Sequence, residues 1–239
     1  MQTFSRLSSL LFILPAALTI VGLTVSMRAQ PVVLSVHFDD NFSSGSLEHW
    51  QLPYPEDWTI GSDGPEHFLH MLRNREPLVP RRPVQFALLK AINVGSFTFQ
   101  ARMRREGRSL LMVFGYVNNL HFYYTHLSVD PGTKVEVHNG IFIVDGGPRR
   151  RIAGLDAPAA LPDYNWHQIQ VRRDAHSGSI EVFVDGERSP GFSVIDSTFN
   201  CGQVGLGSFD ETGDFRDVHL SSNDAGCQPG GVLRPAGTN

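Results

Sequence analysis

One segment, residues 96–104, alternates apolar and polar side chains without exception, and it constrains the fold more than any other feature. Every second position is apolar, while the positions between carry Thr, Gln and Arg. Successive side chains of a β-strand point to opposite faces, so this pattern predicts a strand with one buried and one open face. The predicted buried side chains are Phe97, Phe99, Ala101 and Met103.

The rest of the chain predicts further short strands separated by turns. The predicted strands cover residues 33–42, 58–60, 110–117, 121–129, 134–138, 141–144, 166–173, 180–184, 202–207 and 215–220. Asp185 and Gly186 give a strong hairpin signal, and the chain contains 23 Gly and 15 Pro. No helical period is sustained beyond residue 30, so we expect one all-β sandwich domain at residues 30–222 and a loose tail at 223–239, held where Cys227 ties it.

The N-terminus has the layout of a signal peptide. Arg6 is followed by an almost wholly apolar stretch over residues 7–25, and Ala29 marks the expected cleavage point. The alternative is an uncleaved membrane anchor. Under either interpretation the body of the protein is exported, which predicts a secreted or periplasmic location and no membrane contact unless the leader is retained.

Charge and cysteine content narrow the classes further. The formal net charge is −4, and cleavage would also remove Arg6 and Arg28, so sequence-independent nucleic-acid binding is not expected. Cys201 and Cys227 are the two cysteines of the chain. In an exported domain they predict one disulfide, and no Cys-x-x-Cys or Cys/His zinc spacing is present.

Several stretches resemble a known superfamily. They comprise Trp166 to Asp174, Gly178 to Glu187, Gly202 to Ser208, Phe215 to Val218, and Phe38 to Phe42 with Trp50. Their order resembles laminin G-like and other concanavalin A-like domains over about residues 36–220. The resemblance implies a jelly-roll sandwich of two antiparallel sheets.

A second, narrower resemblance lies in the centre of the chain. The stretches His121 to Leu127 and His138 to Asp145, followed by Pro148 and Arg149, resemble bacterial exported proteins described as family 16 glycoside hydrolase-like or 3-keto-disaccharide hydrolase-like. The resemblance implies a glycan or sugar ligand. Two hypotheses follow, a carbohydrate-binding domain without catalysis, or a hydrolase or lyase acting on a poly- or disaccharide. An interaction or structural domain remains a third.

Family 16 hydrolases use two carboxylates on one strand, in a Glu-x-Asp-x-x-Glu or similar pattern. That pattern is absent here. Glu181, Asp185 and Glu187 come nearest to it, but Asp185 lies in the predicted hairpin turn and the three acids do not line one cleft. No catalytic residue is therefore assigned.

The central His and Tyr residues are the best ligand candidates, because each side chain joins an apolar body to a polar tip. This candidate cluster comprises His121, Tyr123, Tyr124, His126, His138 and Asn139. Along a strand, His121, Tyr123 and Thr125 share one face, and Phe122, Tyr124 and His126 share the other. The sequence does not choose between these faces. Alternatively, the aromatic residues fill the core and the His residues are merely hydrogen-bonded there.

Arginines form a separate candidate group, since a guanidinium can bind a uronate carboxylate or a sulfate through two parallel hydrogen bonds. Arg102 and Arg104 lie on the open face of the alternating strand, and Arg149 follows a turn. The alternative is that these arginines only solvate the surface.

No cofactor is required by these patterns, and no His-x-His or His-Glu-x-x-His spacing supports a catalytic metal. The superfamily resemblance does imply a structural calcium where the first and last strands meet. Asp39, Asp40 and Asp217 match those places and have the oxygen ligands that calcium prefers. The alternative is that Asp39 and Asp40 only form a turn.

Overall fold

The computed structural model describes residues 34–133 and 139–229. This part of the chain is built of β-strands and one short 3₁₀ helix at Pro55–Asp57. The strands are β1 (Leu34–Asp40), β2 (Trp50–Gln51), β3 (Trp58–Asp63), β4 (Glu66–Met71), β5 (Gln85–Leu89), β6 (Phe97–Arg105), β7 (Ser109–Asn118), β8 (His121–Ser128), β9 (Gly140–Asp145), β10 (Arg150–Ala153), β11 (His167–Asp174), β12 (Ser179–Val184), β13 (Glu187–Ile195), β14 (Gln203–Ser208) and β15 (Gly213–Ala225). The described residues include no apolar helix of membrane-spanning length.

The strands form two antiparallel sheets, as predicted. Sheet A has the spatial order β13, β12, β11, β6, β15, β4, β3. The long strand β15 pairs with β6 along one edge, and along the other with β4 near its start and β1 near its end. Sheet B has the order β10, β9, β8, β7, β14, β5, β2. The all-β prediction is confirmed.

The main core lies between the sheets and is filled by the inward-facing half of each alternating strand. On β6, Phe99, Ala101 and Met103 are completely buried and Phe97 is nearly so, which confirms the predicted face. The residues between them on β6 lie on the outer face of sheet A. Removal of this apolar surface from water stabilises the sandwich by roughly 25 cal/mol per Å².

The central strands of sheet B are buried on both faces, and the outer face carries a second apolar cluster. We call this set the aromatic outer cluster; it comprises Phe86, Leu88, Leu111, Val113, Phe122, Tyr124, Phe142, Val144 and Phe209. The continuous apolar run of β7 follows from this arrangement, because its side chains alternate between the main core and the outer cluster. This strand is therefore covered on both sides.

Residues 72–84, which connect β4 to β5, contact the outer face of sheet B. We call them the cover segment. Arg82 Nε donates to the Asn119 carbonyl at 2.6 Å, and the Arg149 backbone N–H donates to the Arg81 carbonyl at 2.9 Å. The Arg81 guanidinium carbon lies 4.8 Å from the centre of the Phe209 ring. The segment is thus held to sheet B at several points.

A buried carboxylate fixes the start of the cover segment. Asp57 is completely buried and accepts hydrogen bonds from Arg75 Nε at 2.5 Å and from Gln85 Nε2 at 2.8 Å. Burial opposes ionisation of Asp57, but the hydrogen bonds from Arg75 and Gln85 outweigh it and lower the carboxyl pKa. Asp57 is therefore a charged anchor for this segment.

The predicted Cys201–Cys227 disulfide is confirmed. Cys201 precedes β14 of sheet B and Cys227 follows β15 of sheet A, so the bond links the ends of strands from the two sheets. Strand β15 continues to Ala225, beyond the predicted strand end at Leu220. The predicted signal peptide at residues 1–29 and the predicted strand at 134–138 lie outside the described residues.

Candidate functional site

The outer face of sheet A carries an open polar depression, which we call the polar groove. It has two adjoining parts of about 420 Å³ and about 250 Å³ that share His37, Thr98 and Ser221. Its polar lining includes His37, Asp39, Thr98, Gln100, Arg172, Glu181, His219 and Ser221. These residues come from β1, β6, β11, β12 and β15, so the groove crosses several strands.

Strand register places these side chains in two rows. Thr98 lies opposite Ser221 on one side and Arg172 on the other. Gln100 lies opposite His219, which in turn pairs with Asp39 of β1. Residues directly opposite each other in a sheet lie on one face at contact distance, so each row presents polar groups side by side.

A β-bulge in β15 keeps the second row on the outer face. Arg216 pairs with Arg102 and His219 pairs with Gln100, with a register shift between them. Residues three apart on a regular strand would point to opposite faces. The backbone φ of Asp217 is 49°, in the left-handed region, and this residue absorbs the extra position.

The groove offers both positive and negative groups. Glu181 is paired with Arg188 at 2.8 Å, and the His219 imidazole contacts the Asp39 carboxylate. The exposed Arg172 guanidinium stacks 4.1 Å above the half-buried Phe183 ring and forms no ion pair with a carboxylate of the described residues. The groove can thus donate to and accept from a hydroxyl-rich ligand.

A second cluster on sheet A surrounds Trp166. The Arg104 and Arg216 guanidinium carbons lie 4.6 and 4.4 Å from the centre of its ring. Arg104 Nε and Nη2 donate to Asp214 Oδ2 at 2.8 and 2.7 Å, while Asp214 Oδ1 lies 2.7 Å from His70 Nδ1. Partial burial opposes the charge of Arg104, yet the hydrogen bond and charge of Asp214 raise its pKa. Arg104 is therefore neutralised by a buried partner.

Three groups of this second cluster approach metal-ligand spacing. Ligand atoms of His70, Glu106 and Asp214 lie within 4.8 Å of one another. The same Asp214 carboxylate, however, already accepts two hydrogen bonds from the Arg104 cation. A positive charge at that distance disfavours a metal ion, so we read His70 and Asp214 as a hydrogen-bonded pair.

On sheet B, three of the predicted ligand residues come together, which we call the Arg149 cluster. Arg149 Nη1 donates to Tyr124 Oη and to His126 Nδ1, both at 3.1 Å. Tyr124 and His126 are completely buried, while Arg149 is half-buried. Burial raises the pKa of Tyr124 above its ordinary value of 10.0, although the Arg149 charge opposes this.

The structure chooses between the two faces of strand β8. Tyr123 points into the main core, so it belongs to the packing between the sheets rather than to an open surface. Its hydroxyl donates to Asp196 and accepts from the Phe199 backbone N–H at 3.1 Å. Burial, together with the Asp196 hydrogen bond, raises its pKa to about 12. Tyr124 and His126 lie on the outer face.

The remaining predicted ligand residues are dispersed. His121 lies at the start of β8, with Nδ1 at 3.0 Å from Asn118 Oδ1. Asn139 is buried, where its amide accepts from the Ser128 N–H at 3.1 Å and donates to the Pro158 carbonyl at 2.5 Å. Arg102 and Arg104 lie on sheet A, opposite to the Arg149 cluster. His138 lies outside the described residues.

The predicted calcium ligands do not converge, although β1 and β15 do pair as that prediction required. Asp40 accepts from the Phe42 N–H at 2.7 Å and from Trp50 Nε1 at 2.8 Å. Asp39 contacts His219, and Asp217 lies 4.0 Å from Arg102. Among the described residues these carboxylates form no group within reach of one ion, because each has its own partner.

Several groove residues were not singled out from the sequence, notably His37, Arg172 and His219. Each lies in a stretch that was predicted as a strand, and alternation along the strand could have indicated His37 and Arg172. His219 faces outward because of the β15 bulge, which alternation does not predict. What alternation also does not give is which strands are neighbours. The groove exists because β15 brings β1 beside β6, and that pairing joins distant parts of the chain.

No family profile and no curated protein sequence matches the chain. Among solved structures, the carbohydrate-binding module CBM66 from Bacillus subtilis is 16% identical, with a TM-score of 0.53 over 73% of this chain and 96% of that one. The winged bean acidic lectin, complexed with methyl-α-D-galactose, is 13% identical, with a TM-score of 0.51 over 80% and 99%. A GH43 protein from Bacillus licheniformis is 12% identical, with a TM-score of 0.55 over 77% of this chain and 39% of that one. At these identities the likeness concerns the fold alone, and the chain shares with these structures a jelly-roll sandwich of two antiparallel sheets.

Proposed function

We propose that this protein is a carbohydrate-binding domain that holds a glycan along the polar groove of sheet A. The observation that carries the proposal is the groove itself, whose two parts expose rows of hydroxyl, amide, imidazole, carboxylate and guanidinium groups. Sugar hydroxyls both donate and accept hydrogen bonds, so a surface with both kinds of partner suits them. CBM66 and the winged bean lectin, which share this fold, support the proposal.

Binding to a panel of neutral and acidic oligosaccharides tests the proposal, followed by calorimetric titration with the tightest binder. Arg172→Ala and His219→Ala should each weaken binding by about 1–3 kcal/mol, because each removes a hydrogen-bonding partner from the ligand. Gln168→Ala is the matched control, since Gln168 lies on the outer face of sheet A but does not line the groove. Unchanged affinity in both groove variants would refute the assignment.

A second candidate is a carbohydrate-active enzyme, which the pair of His70 and Asp214 favours. Asp214 is almost completely buried and is held by Arg104, while a quarter of the His70 side chain is exposed. A carboxylate that fixes one imidazole nitrogen leaves the other available for proton transfer. Release of reducing sugar by the wild-type protein, abolished in His70→Gln, would establish this function. Binding of the same glycans without release would favour the binding domain.

We also propose that the protein is exported. The apolar leader sequence and the Cys201–Cys227 disulfide support this, since disulfides persist in oxidising compartments. N-terminal sequencing of the protein recovered outside the cytoplasm should begin close to residue 30. A mature chain that starts at Met1 would instead indicate a retained anchor.

A further inference from the structure

Two guanidinium groups share one aromatic ring on the outer face of sheet B. The guanidinium carbons of Arg149 and Arg81 lie 4.3 and 4.8 Å from the centre of the Phe209 ring. Arg149 also lies 4.8 Å from the centre of the Phe142 ring, and its backbone N–H is bonded to the Arg81 carbonyl. Both guanidinium groups therefore contact the same ring, and a backbone hydrogen bond joins the two segments that carry them.

Two buried side chains beneath Arg149 on sheet B fix the orientation of its guanidinium group. Its Nη1 donates to Tyr124 Oη and to His126 Nδ1. Because an arginine can only donate, His126 Nδ1 must accept, and the neutral imidazole then carries its proton on Nε2. That nitrogen lies 2.8 Å from Ser109 Oγ, which can accept it. This buried chain of hydrogen bonds occupies Nη1.

The other edge of the same guanidinium is not occupied. Arg149 Nε and Nη2 have no hydrogen-bond partner in the described part of the chain, and neither atom is fully buried, so this edge reaches solvent. The parallel Nε and Nη2 donors form the fork that matches the two oxygens of a carboxylate or sulfate.

The charges of Arg81 and Arg149 are compensated less than those of the arginines on sheet A. Within residues 34–133 and 139–229, neither Arg81 nor Arg149 forms an ion pair with a carboxylate. Arg104 is paired with both Asp63 and Asp214. The Asp210 carboxylate is near enough to act on Tyr124, but among the described residues it forms no ion pair with either arginine. A half-buried cation without a contacting anion favours the binding of one.

We propose that Arg81 and Arg149 form a binding site for an oxyanion, a carboxylate or sulfate group carried by a small ligand or sugar. The Nε and Nη2 edge of Arg149 contacts two oxygens of the anion, and the exposed Arg81 supplies the second positive charge. The rings of Phe142 and Phe209 form an apolar floor that limits hydration of the bound group. This site lies on the sheet opposite to the polar groove and does not depend on glycan binding there.

Calorimetric titration of the full chain with sodium glucuronate, sodium sulfate and the neutral control methyl glucoside tests the site. Arg149→Gln and Arg81→Gln should each weaken anion binding about 10- to 100-fold, the effect of losing a charge-assisted hydrogen bond. Arg149→Lys keeps the charge but not the fork and should also weaken glucuronate binding. Arg102→Gln removes an exposed positive charge on sheet A that lines neither part of the groove, so it is the matched control and should bind these anions as the wild type does.

The outcomes separate this proposal from glycan binding at the groove. Binding of glucuronate but not sulfate identifies a carboxylate ligand, and the reverse identifies a sulfate ligand. No anion binding by the wild type, equal binding by Arg81→Gln, or a loss confined to arginine variants of sheet A would overturn the site. Arg81 is exposed, so its variant tests the site even if Arg149→Gln fails to fold. Affinity for neutral oligosaccharides, and its loss in His219→Ala, reports only on the groove.

Discussion

The outer faces of the two sheets are opposite in character, although both sheets contribute alike to the main core. On sheet A the outward positions of β6 are Thr98, Gln100, Arg102 and Arg104, all partly exposed. On sheet B the outward positions of β8 include Phe122, Tyr124 and His126, all completely buried. A strand that alternates therefore marks an open face, and a strand that is apolar throughout marks a covered one.

The two faces also differ in how they use arginine. On sheet A, Arg104 and Arg216 are bonded to carboxylates, so their charges are compensated within the fold. On sheet B, Arg149 is bonded to neutral partners, and no described residue bonds to its Nε and Nη2 edge. The presence of Arg on an outward position is thus a poor guide to ligand binding unless its ion pairs are known.

The largest expected effect compares one outward residue from each sheet. Phe122→Ala should lower the free energy of unfolding by about 3–5 kcal/mol, because it opens a cavity in the aromatic outer cluster. Gln100→Ala on the open face should change it by no more than about 0.5 kcal/mol. Denaturant melts of both variants make the measurement. Equal losses would mean that the outer face of sheet B is not a true second core.

Much of the fold could be predicted, because alternation is a local property. The buried half of β6 and the buried strand β7 follow from residue spacing alone. The hairpin at Asp185 and Gly186 is confirmed as well, with both residues at positive φ. Strand β13 was missed because Pro190 and Gly191 interrupt it, and an edge strand of sheet A tolerates them.

The site could be predicted only in part. The two faces of β8 are equally aromatic, since one packs in the main core and the other in the outer cluster, so spacing gave no reason to prefer Tyr124 over Tyr123. The union of Tyr124 and His126 with Arg149 depends on the position of β10 beside β9. Ion pairing of Arg104 and the separate partners of Asp39 and Asp40 depend equally on tertiary contacts.

The second-largest loss of stability is expected from removing the disulfide that links the two sheets. Replacing both Cys201 and Cys227 by Ser should lower stability by about 3 kcal/mol, since the disulfide spans 26 residues and restricts the unfolded chain. Thermal melts of the double variant, compared with the reduced wild type, provide the measurement. A reduced wild type as stable as the oxidised protein would show that the sheets are held together without this bond.

A smaller loss of stability is expected when the anchor of the cover segment over the outer face of sheet B is weakened. Asp57→Asn should cost about 2 kcal/mol at neutral pH, because Arg75 and Gln85 lose a charged acceptor. The pKa of Asp57 is lowered in the folded protein, so its contribution is fully present above the ordinary value of 3.8 and is lost as pH falls through the lower folded value. The difference between wild type and variant should therefore shrink below about pH 4.

The matched control for that variant is Asp63→Asn, which alters an exposed ion pair with Arg104 at 2.9 Å on sheet A. Exposed pairs contribute little, so a change within about 0.5 kcal/mol is expected. Hydrogen exchange of the β7 and β8 amides gives a second measurement, and Asp57→Asn alone should accelerate it. Similar melts and exchange rates for the two variants would show that Asp57 does not anchor the cover segment.

The smallest effect is expected at Arg102, which the sequence predicts as a ligand residue but which lies outside the polar groove. The Arg102 side chain is 40% exposed and lies 4.0 Å from Asp217, which is itself 42% exposed. A pair of this kind is screened by water, so Arg102→Ala should change stability by less than about 0.5 kcal/mol. Arg102 also does not line either part of the polar groove. Its variant should bind acidic glycans as the wild type does, whereas Arg172→Ala should not. A salt-sensitive loss of affinity in Arg102→Ala would instead place the anionic part of the ligand nearer the β15 bulge, and the groove would have to extend along β6 toward Trp166.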